Sequence, residues 1–198
     1  GVMALYNEKS PVARFNLSGI RDVDALFNAQ AYYRVAWSAK TAGTAQVTYS
    51  FPGADGASSR LVDNYGLGEN RAITGAVNAG QAAQIADAFG AWSNVANVAF
   101  TRVNETSAGQ VGDIRIGFTS KVSAGYWGYS LGVSDGASNA HGDIWIDRSI
   151  SGQSFAAGTY DYYSMMHEIG HSIGLKHPFE APKISTGLDN RRYTIMSY

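Results

Sequence analysis

Three of the four histidines in this 198-residue sequence, His167, His171 and His177, fall within one short run, His167-Glu168-Ile169-Gly170-His171-Ser172-Ile173-Gly174-Leu175-Lys176-His177. On a helix His171 lies about 40° round from His167 and one turn further along, so both imidazoles can reach a single ion. Glu168 is displaced from the first histidine by one residue. Its carboxylate is thereby set beside the pair, in reach of a metal-bound water, and it is better placed as a base than as a ligand. Gly174 falls where a helix commonly ends in a left-handed residue, and the sharp turn it permits brings His177 back toward the other two. Pro178 then prevents helix from resuming. Three neutral imidazoles with an open fourth position describe a catalytic zinc site, because a structural site closes its tetrahedron with protein ligands. A lone helical histidine is more often a packing residue; the third histidine, the glycine and the glutamate together outweigh that reading.

The surrounding elements must hold this run in place. Tyr160 to Gly174 reads as the helix carrying the first two histidines, with Asp161 helping to cap it and Tyr160, Tyr162 and Tyr163 as packing residues. A backing helix is predicted over Gln81 to Val95, where Ile85, Ala88, Phe89, Trp92 and Val95 recur every three or four residues. Strands are predicted over Ala45 to Pro52, Val98 to Val103, Asp113 to Phe118, Gly125 to Ser130 and Asp143 to Asp147. Gly53 to Gly80, rich in Gly, Ser, Asn and Asp, reads as a surface loop. A weak helical stripe over Asp22 to Tyr33 marks residues 1–45 as an N-terminal arm packed on a domain of residues 46–198. This order predicts an α/β (α+β) fold with a mixed sheet.

Composition excludes other classes. The 15 Lys and Arg balance 16 Asp and Glu to a net charge of −1, with no basic run longer than Arg191-Arg192, so neither nucleic acid nor an anionic membrane has an electrostatic footprint. An apolar share of 45% suits a soluble globular protein, and the 23 glycines follow no repeat. No apolar run approaches the ~20 residues of a membrane span, and Gly1 to Pro11 lacks the regions of a signal peptide. With no cysteine, disulfides, thiolate nucleophiles and iron–sulfur clusters are excluded, and any metal must be held by His, Asp, Glu or Tyr.

His167 to His177 is the extended zinc signature of the metzincin metalloproteases, and Tyr193-Thr194-Ile195-Met196-Ser197-Tyr198 closely resembles their methionine turn. The His177-Pro178 step and the Met196-Ser197-Tyr198 ending resemble the serralysin branch, bacterial secreted proteases. Val47-Thr48-Tyr49-Ser50-Phe51-Pro52, Ala91 to Val98 and Asp113 to Gly117 add to the likeness, which covers about Val47 to Tyr198. The resemblance implies a mostly parallel five-stranded sheet, zinc bound by His167, His171 and His177, Glu168 as general base, and Met196 as an apolar floor beneath the metal. It also implies Tyr198 as a fifth, displaceable ligand whose phenol donates to the developing oxyanion. The implied activity is hydrolysis of peptide bonds in extended protein substrates through a zinc-activated water; the rival reading is a catalytically silent metal-binding or adhesive module.

The family continues beyond the methionine turn with a further helix and calcium-binding glycine-rich repeats. Calcium is therefore expected only in a C-terminal remainder beyond Tyr198, alongside secretion and a possible protein inhibitor. Phe179 to Tyr193 is shorter than in a typical serralysin, so cleavage preference does not carry over. Gly125, Tyr126, Trp127 and Gly128 are candidates for the sheet edge that binds substrate as an added strand, with core packing of the aromatics as the alternative. His141 reads as a turn residue ahead of a strand whose Asp143 and Asp147 cap its ends; a second metal site there is the weaker alternative.

Overall fold

The computed structural model describes residues 10, 12–16, 18–27, 33–38, 43–54, 69, 72–106, 110–134, 140–180, 183, 185–192 and 194–197. Within them the chain runs β1 (Val12–Asn16), α1 (Arg21–Asp24), β2 (Tyr33–Trp37), β3 (Ala45–Ser50), β4 (Ile73–Gly75), α2 (Ala79–Ser93), β5 (Val98–Arg102), β6 (Ile114–Thr119), β7 (Gly128–Ser130), β8 (Ile144–Asp147) and α3 (Tyr160–Ser172). Short 3-10 turns lie at Arg148–Ile150 and Thr186–Leu188.

The main sheet has the order β5-β3-β6-β8-β7. Its first four strands are mutually parallel, and β7 runs antiparallel to β8 at the edge. The mixed, mostly parallel five-stranded sheet is therefore as expected, with one addition. β4, inside the stretch read as a loop, pairs antiparallel with the end of β6. Three residues are too few to show a strand periodicity, and their pairing depends on a partner more than forty residues away.

Burial explains the central strand. All six residues of β6 are buried, as in a parallel strand covered on both faces. That places Arg115 fully inside, where its guanidinium meets Glu105 in a two-point pair, Nε–Oε1 2.7 Å and Nη2–Oε2 2.9 Å. Ser50 Oγ donates to the same carboxylate, so the buried charges are matched in sign and hydrogen-bonded. Val47, Tyr49 and Phe51 alternate along β3 and its end to face the core, and Tyr49 stacks on Phe89 of α2. α2 starts two residues before its predicted limit because Asn78 and Gln81 form a reciprocal capping box. It packs on α3, where Trp92 Nε1 donates to the Met166 carbonyl at 3.0 Å.

The N-terminal region differs from its sequence reading. Among the described residues of this region helix is confined to Arg21–Asp24, Tyr33 starts a strand, and β1 and β2 form an antiparallel pair. The apolar stripe of Val23, Leu26 and Phe27 is used in a turn: Leu26 and Phe27 leave the helix, and Phe27 bridges to Leu175. Residues 28–32 of the predicted helix lie outside the described residues. The segment meets the rest of the chain through Ser10, whose N and Oγ donate to Asp113, and Trp37, whose indole N–H donates to the Ser172 carbonyl at 2.8 Å. Among the described residues no helix is long and apolar enough to cross a membrane.

Candidate active site

α3 carries the first two candidate ligands and is started by Thr159, whose Oγ accepts the Tyr162 N–H at 3.1 Å. Asp161 does not cap this helix. The cap position is already taken, and Asp161 accepts the Trp127 indole N–H at 2.8 Å, tying the approach to β7 onto the helix. At the other end Gly174 has φ +113°, the Leu175 N–H reaches the Gly170 carbonyl and the Gly174 N–H reaches that of His171. This is the Schellman termination that the glycine was read to provide. The reversing turn is also held from outside, since the Lys176 N–H donates to the Leu26 carbonyl at 2.9 Å.

The three histidines converge. Their Nε2 atoms form a triangle with sides of 3.0 Å (His167–His177), 3.1 Å (His167–His171) and 3.2 Å (His171–His177). Each Nδ1 points outward to an acceptor: His167 to the Ile195 carbonyl at 3.0 Å, His171 to that of Leu175 at 2.9 Å, and His177 to Glu180 Oε1 at 2.9 Å. A neutral imidazole with Nδ1–H donating has a bare lone pair on Nε2. Three such lone pairs about 3 Å apart repel unless a cation lies between them. Ligands about 2.0–2.1 Å from a tetrahedral zinc stand roughly 3.4 Å apart, so the triangle fits that ion. Among the described residues these three are the one group of His, Asp, Glu or Cys able to hold a metal together.

Electrostatics supports the unprotonated state. Burial pulls the His171 pKa down to about 4, and burial followed by the charges near His167 lowers that ring as well. His171 therefore remains available as a neutral ligand well below neutral pH, and burial biases His167 in the same direction. Burial acts in the opposite sense on Glu168, raising its carboxyl to about 7 against one opposing hydrogen bond from the Ser130 backbone N–H. Glu168 Oε2 is buried and has no hydrogen-bond partner among the described residues. A carboxyl poised near neutrality with one free oxygen suits proton transfer.

Met196 is fully buried and its thioether lies against Gly170, between the two helical histidines. A Cβ at Gly170 would stand 2.5 Å from Met196 Sδ and 3.2 Å from the Trp92 ring. Gly170→Ala is therefore expected to destabilise the fold by about 1–3 kcal/mol, measured as an earlier urea midpoint with unchanged m-value.

β7 ends the sheet beside this cluster. Of the predicted edge, Gly128–Ser130 pairs with β8, while Gly125, Tyr126 and Trp127 precede the strand in a turn. The positive φ of Gly125, +87°, ends extended backbone there. All four candidates still line a cavity of about 500 Å³, and a second of about 350 Å³ shares Tyr126, Gly128, Glu168, His177 and Glu180 with it. Tyr126 is 68% exposed, so packing in the core does not account for it. Trp127 is half-buried against Phe155. Tyr198 and Tyr193 lie outside the described residues. His141 joins no group of three candidate metal ligands among the described residues; it stacks on Trp37, with ring centroids 5.0 Å apart. Asp143 accepts from the Arg115 N–H, and Asp147 caps the following 3-10 turn through Ser149.

Two contributors were not read from sequence. Glu180, three residues after His177, orients that ring. Tyr163, assigned to packing, reaches the methionine turn with its hydroxyl. Its spacing, one helical turn before His167, is the signal that could have singled it out.

A mostly parallel sheet with an antiparallel edge strand, a helix presenting two histidines, a glycine turn returning a third, and a buried methionine below them define a metzincin-type metalloprotease fold. The chain belongs to the matrixin family (Peptidase_M10), whose profile matches residues 64–186. It is similar to metallopeptidase AprA of Pseudomonas marginalis, 30% identical over 177 residues, which is 79% of this chain and 33% of that protein. It is also similar to serralysin A of Dickeya chrysanthemi, 30% identical over 126 residues, covering 61% of this chain and 27% of the relative. Serralysin of Proteus mirabilis is 28% identical over 176 residues, 78% of this chain and 34% of the relative. The chain spans about a third or less of the length of these relatives.

Proposed function

We propose that this chain is the zinc-dependent endopeptidase domain of a serralysin-like protease, with His167, His171 and His177 as ligands and Glu168 as general base. The observation that carries the reading is the outward-anchored Nε2 triangle set beside a buried carboxylate whose Oε2 has no partner among the described residues. Zinc, when bound, supplies Lewis acidity, polarising a carbonyl and lowering the pKa of water from 15.7 to about 7. Glu168 takes the proton from the attacking water and passes it to the leaving amine; its elevated pKa makes the carboxyl both a base and, once protonated, an acid near neutrality.

Among the described residues β7 pairs on one side only, which leaves its outer edge to receive an extended substrate backbone, with Gly125, Tyr126, Trp127 and Gly128 contributing side chains and backbone to the cavity walls. Tyr198 belongs to the proposal through the sequence pattern, as a displaceable phenol that donates to the developing oxyanion. Residues 1–45 as an arm on a 46–198 catalytic domain, secretion, a protein inhibitor, and calcium in a C-terminal remainder enter the same way. A silent metal-binding module is disfavoured by Glu168, since metal binding alone has no use for a buried carboxylate with a free oxygen.

The test is casein hydrolysis by the purified chain, with elemental analysis. The expected result is one zinc per chain and hydrolysis that a chelator abolishes and added zinc restores. Hydrolysis that survives complete removal of zinc would overturn the reading.

A further inference from the structure

The loop carrying Met196 is held to α3 by one side chain with no part in the chemistry so far described. Tyr163 lies four residues before His167, so the two share a helix face one turn apart. Its hydroxyl stands 2.6 Å from the Ser197 carbonyl and 3.0 Å from that of Ile195, the two carbonyls that flank Met196. A phenol has one proton, so this is a three-centre hydrogen bond in which Ser197 takes the larger share. The Ile195 carbonyl also accepts the Nδ1–H of His167 at 3.0 Å. One carbonyl oxygen thus receives both the ligand and the tyrosine, using the two lone pairs it has. Arg191 covers the ring from the other side, its guanidinium 4.9 Å from the centroid.

The geometry matters because His167 has two tautomers, and only the one with its proton on Nδ1 presents a lone pair toward His171 and His177. That tautomer is favoured as long as a carbonyl stays fixed at Nδ1. The Ile195 carbonyl belongs to an irregular segment joined to α3 mainly through buried Met196, the His167 bond and Tyr163. Packing of a flexible thioether does not set the direction of a neighbouring carbonyl, whereas a hydroxyl on a rigid ring does.

We propose that Tyr163 is a positioning residue for the metal centre: through the Ile195 and Ser197 carbonyls it locks the methionine turn in register with α3, and so holds His167 in the tautomer and orientation that bind the ion. This rests on the reading of His167, His171 and His177 as zinc ligands, and extends it to a group that touches neither ion nor substrate.

The experiment compares wild type with Tyr163→Phe, which removes one oxygen and keeps the ring under Arg191. Zinc affinity is measured by competition with a chelator of known affinity. The metal-free proteins are labelled with ¹⁵N-histidine, and the long-range proton–nitrogen spectrum reports the tautomer of each ring. The expected result is a roughly 10–100-fold weaker zinc affinity, the size of losses seen when an outer-shell partner is removed, and a new population of His167 protonated on Nε2. The rings of His171 and His177, anchored to Leu175 and Glu180, should keep their tautomers. An unchanged zinc affinity with His167 still wholly in the Nδ1–H form would overturn the proposal. So would a drop in melting temperature with unchanged affinity, which would reduce Tyr163 to a structural role. If Tyr163→Phe does not yield folded protein, Arg191→Met with Tyr163 retained provides the second arm. It removes the cover from the ring but not the hydroxyl, and must leave the His167 tautomer unchanged. Failure of wild type itself to bind zinc would sink the ligand reading, an outcome distinct from any of these.

Discussion

Glu168→Gln is expected to lower casein hydrolysis by roughly 10²–10⁴-fold, the usual contribution of a positioned acid–base group, while one zinc per chain is retained. The amide keeps the size of the carboxyl and can still accept from the Ser130 N–H, so the fold and the edge strand have little reason to move. What it loses is the capacity to take a proton. Glu168 is 9% exposed as a residue and its buried Oε2 has no partner among the described residues, a costly arrangement for a group with only a structural task. Removing the charge there should therefore leave stability unchanged or slightly improved. The combination of an inactive protein that melts no earlier than wild type and carries full zinc is what a catalytic base requires. Activity within tenfold of wild type would reject Glu168 as that base.

His171→Ala should act through the metal. Zinc affinity is expected to fall by well over the roughly 10–100-fold assigned to an outer-shell partner, because a direct ligand is removed, and hydrolysis should fall with it. The order of the effects is itself informative: His171→Ala must weaken zinc more than Tyr163→Phe does. Thermal melts provide an independent check. A ligand that binds only the folded state stabilises it by RT ln(1 + [L]/Kd), so added zinc should raise the wild-type midpoint strongly and that of His171→Ala hardly at all. An equal zinc-dependent rise in both proteins would place the metal elsewhere. Burial also keeps the ring of His171 neutral in the metal-free protein, so no charge is lost at that position when alanine replaces it.

The parts of the site legible in the sequence share a physical basis. His167, His171, Glu168 and Gly174 are related by the period of one helix and by the conformational freedom of one glycine, and both are local rules. The same holds for most of α2, whose Ile85, Ala88 and Phe89 are buried as read, whereas Val95, the last residue of the predicted stripe, lies beyond the helix and is 79% exposed. Misreadings fall where local rules stop. β4 and the β1–β2 pair are too short or too dependent on distant partners to declare themselves, and Asp161 had its cap position taken by Thr159 and its carboxylate claimed by Trp127. The edge strand starts three residues late because Gly125 takes a backbone conformation that periodicity does not register.

From the residue order alone, then, come the candidate ligand set, the candidate base and the reversal that returns the third histidine, since these need only a few consecutive dihedral angles. Tertiary structure decided which groups support them: the Ser130 N–H on Glu168, the Ile195 carbonyl shared by His167 and Tyr163, Met196 seated on Gly170, and Leu26 bracing the turn at Lys176. Each joins residues separated by about 26 to 150 positions, and such pairings are set by how layers pack around one core, which no periodicity along the chain encodes.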